Sequence, residues 1–151
     1  MDPAEHRAYG VFKPIGHMVV SFPDAASADN GHAALTAQGT AAADIHRYSA
    51  AQMLAQCDED IARASPAASV GQELNLVKAN RELAAQGFHF LVVRVDNDDI
   101  ARQAADALHA QGAERAQLYG RFIIEEMITR AADMPQVKES PDTGLDPQTP
   151  S

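Results

Sequence analysis

Two stretches decide how this chain folds: "VVSFPDAASADNGHAALTAQG" (residues 19–39) and "VVRVDNDDIARQAADALHAQG" (residues 92–112). They align without a gap. Both begin Val-Val, both end Ala-Leu-x-Ala-Gln-Gly, and eight of the 21 positions are identical. In each, a short apolar run passes through a polar turn into an Ala-rich segment that stops at glycine. That is the signature of a strand followed by a helix with a left-handed C-terminal residue.

Working outward, "GHMVVSF" (16–22) and "FHFLVVRV" (88–95) are the two apolar strands that feed these helices. Each repeat leads on to a short segment containing a tyrosine, "DIHRYS" (44–49) and "AQLYG" (116–120), with the fourth strand expected over Arg115–Tyr119. Between the repeats, Ser49 and Gln52 form a capping box that opens a helix with Met53, Cys57, Ile61 and Ala64 on one stripe. Ser65–Pro66 breaks it. A further helix through "GQELNLVKANRELAAQG" carries Leu76, Ala79, Asn80 and Leu83 on its stripe, and Gly87 closes it.

Two βαβ halves joined by a helical pair make an α+β, ferredoxin-like plan with an antiparallel sheet. The repeat strands are expected at its centre and the tyrosine strands at its edges. A parallel, flavodoxin-like sheet is the rival, which four short strands and the duplication disfavour. The domain spans 16–132, with an irregular arm at 1–15. The tail at 133–151 holds four prolines and almost no large apolar groups, so it is expected to be disordered.

"RFIIEEMITRAA" (121–132) places Ile124, Met127, Ile128 and Ala131 at helical spacing, which predicts a C-terminal helix. Glu125 and Glu126 fall off that stripe near the first turn, where acidic groups favour the helix dipole. As neighbours on one helix they diverge, so acid–base catalysis by the pair is not expected.

Strand alternation sorts the sheet residues into two faces. Met18, Val20 and Phe22, with Leu91, Val93 and Val95, should lie under the repeat helices. The opposite set, His17, Val19 and Ser21 with Phe90, Val92 and Arg94, mixes polar and apolar groups. Three readings fit it: cover by the inserted helices, a dimer interface, or the floor of a small-molecule site anchored by His17, Ser21 and Arg94. An Arg in mid-strand calls for a carboxylate or phosphate partner if buried.

The bulk numbers limit the rest. The 151 residues make one domain, 46% hydrophobic, with only 5% aromatic and no tryptophan. A net charge of −9 argues against nucleic acid and against anionic membranes. The single Cys57 excludes an internal disulfide and is expected to be a buried thiol. No apolar run has signal-peptide or membrane-span length, so a cytoplasmic protein is expected. Six histidines include no pair at i, i+4 spacing, and no phosphate-binding glycine motif occurs, so neither metal nor cofactor is expected.

The unit "HMVVSFPDAASADNGHAALTAQGTAAADIHRYS" (17–49) resembles the start of the bacterial general stress, heat-induced YflT-like domain. There a short hydrophobic strand leads through an Asp-containing turn into an Ala-rich helix ending in Gly, and a second short strand follows "ADI"-like residues. Residues 88–119 resemble it more loosely, and the "ASPAASVGQELNLVKANRELAAQG" segment is similar to the linking helix of such proteins. The resemblance implies a small cytoplasmic stress-associated protein with no established catalytic residues.

The expectation is therefore a non-enzymatic accessory protein acting as a homodimer or on another protein. Its association surface would include Val19, Phe90, Val92, Phe122, Ile124, Met127 and Ile128. The alternatives are an ACT-like regulatory module binding a small anion near His17, Ser21 and Arg94, and a dimeric α+β barrel enzyme using His17 or His89 as base.

Overall fold

The structure is a computed structural model that describes residues 7–8, 11–12, 14–64, 72–120 and 123–129. The expected tail lies outside the described residues. Where an irregular arm is expected, β1 (Arg7–Ala8) and β2 (Val11–Phe12) instead pair antiparallel, and β2 lies against the inserted helices.

The rest follows the repeat. β3 (His17–Phe22) leads to α1 (Ala25–Ala37), a short 3₁₀ turn at Ala42–Asp44, and β4 (Ile45–Tyr48). Then come α2 (Ala50–Arg63), α3 (Gln72–Ala85), β5 (His89–Arg94), α4 (Asp98–Ala110), β6 (Arg115–Tyr119) and β7 (Ile124–Ile128). The two repeat helices end alike. Gly39 at φ +100° and Gly112 at φ +104° take the left-handed turn that side chains resist. The next amide in each case, Thr40 or Ala113, returns to a carbonyl inside the helix, Leu35 or Leu108, at 3.0 Å. The Ser49–Gln52 capping box is also present, with its two bonds at 3.1 and 2.9 Å.

The five main strands form one sheet in the order β4-β5-β3-β6-β7, and every neighbouring pair is antiparallel. The fold is thus α+β, and the parallel rival is excluded. The repeat strands are central, with His17 opposite Arg94 and Val19 opposite Val92. β4 lies at one edge, as expected. β6 does not, because β7 pairs beyond it.

Helices cover both faces. Met18, Val20, Phe22, Leu91 and Val93 pack with Ala28, Leu35, Ala105 and Leu108 of α1 and α4. Val19, Phe90 and Val92 pack with Met53 and Cys57 of α2 and with Leu76, Val77 and Leu83 of α3. All six residues of β3 are buried, which a strand faced by helices on both sides requires. Apolar groups on both faces of the two central strands draw a helical layer onto each side.

The C-terminal helix expected over 121–132 is corrected to a strand. Tyr119 pairs with Ile124, Leu118 with Glu125 and Gln117 with Glu126, but Ala116 pairs with Ile128, so Met127 is an extra residue. Such a β-bulge turns two successive side chains to one side. Ile124 consequently packs in the α2–α3 core, while Met127 and Ile128 both pack in the α1–α4 core. The spacing i, i+3, i+4 that imitates a helical stripe is a strand with its apolar side switched by the bulge. The β-branched run of Ile123, Ile124, Ile128 and Thr129 favours that outcome.

Candidate functional site

Alternation puts His17, Ser21 and Arg94 on the face under α2 and α3, but the structure does not join them into one site. Ser21 is fully buried opposite Phe90 and Arg115. It stands four residues along β3 from His17, about 13 Å away at the usual strand rise.

At the other end of the strand, His17 and Arg94 are direct cross-strand partners. His46, on β4 opposite Val92, completes a corner, its ring centroid 6.5 Å from that of His17. His17 is 4% exposed, and its Nδ1 is 3.1 Å from the Ile15 carbonyl, to which it donates in that tautomer. Arg94 Nη1 lies 3.3 Å from Asp96, with the two side chains 53% and 66% exposed, so solvent screens the pair. His46 was missed in the sequence. Its signal is its place on β4 beside β5, which only the pairing register reveals.

Ser21 belongs with a different polar group. Arg115 Nη2 is 3.7 Å from a Glu126 oxygen, and Gln117 Nε2 donates to the other Glu126 oxygen at 3.3 Å. Ser21 Oγ and Gln117 Oε1 are buried and have no hydrogen-bond partner among the described residues. The group depends on β7, so a reading that places a helix there cannot find it.

The proposed association residues also divide. Val19, Phe90 and Val92 are at most 1% exposed beneath α2 and α3, so they offer no free face. The inserted helices cover the sheet, the first of the three readings above. Ile124 and Ile128 are buried, Met127 is half-buried, and Phe122 lies outside the described residues.

Cys57 is buried, and burial, followed by nearby Asp60 and Asp58, pushes its thiol up to about 12. It is a poor nucleophile there. Among the described residues no group of three His, Cys, Asp or Glu side chains is placed to hold a metal. No helix among them is long and apolar enough to cross a membrane.

The described residues line at least two open concavities. A cleft of about 490 Å³ lies beside the end of β5, lined in part by Gly39, Asp44, Arg94, Asp96 and Ile100. A groove of about 600 Å³ runs beside the outer edge of β4, lined by Arg47, Tyr48, Gln52, Ala55, Gln56 and Glu59. Compared with known proteins, the chain matches no family model, no curated protein and no solved structure.

Proposed function

We propose that the chain is a cytoplasmic, stress-associated accessory protein of the duplicated ferredoxin-like kind, which acts without catalysis by associating with a second copy of itself. The observation that carries the association is the combination of two covered sheet faces with an unbulged edge strand, β4, which among the described residues pairs on one side only. An edge strand presents backbone donors and acceptors that another chain can pair. The duplicated plan draws support from the order of the first four main strands and from the matched C-terminal glycines of α1 and α4. The stress role rests on the resemblance of residues 17–49 to the YflT-like domain.

Light scattering at tens of micromolar, an order-of-magnitude choice, tests the association. Twice the chain mass is expected, and a strict monomer overturns it. A deletion strain that survives heat and oxidants like its parent overturns the stress role.

A second reading, an ACT-like module binding a small anion, draws on the corner formed by His17, His46 and Arg94. In a thermal-shift screen with phosphate and small carboxylates, Arg94→Ala should abolish any stabilisation while leaving the fold intact. An unchanged response in that variant sinks this reading.

A further inference from the structure

Edge strand β4 is tied to the start of α1 through one side chain. Arg47 faces the α1–α4 side of the sheet, since Leu91, its partner on β5, packs there. Its Nη1 donates to Asp29, and its Nη2 is 3.4 Å from the Ala25 carbonyl. Ala25 and Asp29 stand one turn apart on α1, so a single guanidinium spans that turn. A third contact comes from the sheet itself. His89 on β5 sets its Nδ1 3.2 Å from the same Nη2.

A guanidinium can only donate. His89 Nδ1 therefore accepts, which leaves the ring proton on Nε2 and the imidazole uncharged. Protonation would put an N–H on Nδ1, facing the guanidinium N–H with no acceptor between them. The bond would be lost and two cations would stand in contact. Arg47 is ill placed to exchange this acceptor for water. Its side chain is 32% exposed, and its Nε is buried with no partner among the described residues.

The other groups around His89 decide the direction. Across the ladder to β3 it faces Phe22, which is uncharged. From α1 the Asp24 carboxylate feels its charge, but that carboxylate is exposed and already accepts the Ser27 amide. Asp29, also exposed, is engaged by Arg47 Nη1. Water screens both carboxylates, whereas the guanidinium touches the ring. The nearest charge to His89 is thus the one that protonation repels.

We propose that His89 is the pH-sensitive member of a clamp, and that its protonation in mild acid releases Arg47 and loosens β4. Histidine changes charge between about pH 5 and 8, the range in which such a device acts. With the guanidinium released, β4 keeps its ladder to β5 but loses its tie to α1. The clamp belongs to a single chain and operates whether or not two copies associate.

Hydrogen exchange of the full chain at about pH 7.5 and 5.5, a window set by the histidine range, tests it. The β4 amides that donate to β5, corrected for intrinsic exchange, should open about three- to tenfold more often in the wild type at the lower pH. His89→Gln offers Arg47 an uncharged acceptor that does not titrate, so its β4 should stay equally protected at both values. His89→Ala removes the acceptor and should show the faster opening at both. His46 stands on the opposite face of the same strand, so His46→Gln should keep the wild-type response. Nitrogen shifts of the His89 ring should show the neutral form protonated at Nε2. A neutral ring protonated at Nδ1, or a wild-type β4 indifferent to pH, overturns the clamp. So does a response that survives His89→Gln or vanishes in His46→Gln.

Discussion

Asp24 and Asn97 hold the same step of the two strand–helix units. Each accepts a hydrogen bond from the backbone amide three residues on, Ser27 or Ile100, at 2.8 Å. One cap is charged and the other is not, so the repeat contains its own control. The Ser27 bonds hold the Asp24 carboxyl below its ordinary 3.8. A carboxyl lowered by folding stabilises the fold above its unfolded pKa, and that contribution is lost as the pH falls through the folded value. Asp24→Asn should therefore flatten the loss of stability in acid below about pH 4. Asn97→Ala should cost about 1 kcal/mol without altering the pH profile. Urea titrations from pH 2.5 to 7, an approximate window set by the carboxylate range, check both.

Gly31 sits where α1 crosses β3 and faces α4. A Cβ there would lie 2.7 Å from the Phe22 ring and 3.0 Å from Leu108. Gly31→Ala should lower stability by about 1 kcal/mol or more, although alanine is the better helix former. Phe22→Leu in the same chain should recover part of that loss. Strictly additive costs in the double-mutant cycle would count against the close approach.

For β7, the strand with its bulge predicts nuclear Overhauser contacts between Tyr119 and Ile124 and between Ala116 and Ile128. Ile124→Ala should cost about 2–4 kcal/mol as a buried deletion, while Glu125→Lys should stay within about 0.5 kcal/mol. Helical carbon shifts over 124–128 would contradict the strand.

The Cys57 thiol, pushed up to about 12 by burial, stays protonated in the folded protein well above its ordinary 9.0. Its contribution to stability is complete below the unfolded value and is lost as the pH rises from there through the folded one. A disulfide reagent at pH 8 should label the native chain at least about a hundredfold more slowly than the chain in guanidinium. Equal rates would mean that the α2–α3 layer opens freely.

Two polar positions should respond in unexpected ways to truncation. Ser21→Ala removes a buried hydroxyl with no partner among the described residues, so it should leave stability unchanged or raise it by up to about 1 kcal/mol. Arg94→Ala removes a screened ion pair and should change stability by less than about 0.5 kcal/mol. Melting curves of the two variants decide it.

The difference between what could be read from the chain and what could not has physical causes. Gly39, Gly112, Ser49 and the Val-Val strand starts are local devices, each acting through its immediate neighbours. They gave the helices, the central strands and the antiparallel sheet. Ile124, Met127 and Ile128 misled because a bulge is a property of two strands together, and their spacing alone suits either state. His46 entered the corner with His17 for the same reason: only lateral pairing through β5 brings β4 near β3. Ser21 kept its predicted face but lost its predicted companions: its cross-strand partner is Arg115 on β6, whose carboxylate neighbour Glu126 lies on a strand taken for a helix.

The sheet order also bears on how the two sequence repeats depend on each other. β3 and β4 come from the first half, and β5, β6 and β7 from the second. The ladders β4–β5, β5–β3 and β3–β6 therefore all join one half to the other. Within this sheet, among the described residues, β6–β7 alone stays within a half. Neither repeat can act as a template for itself, and each completes the other strand by strand. A gene split between codons 64 and 72 would yield two obligate companions rather than two small domains.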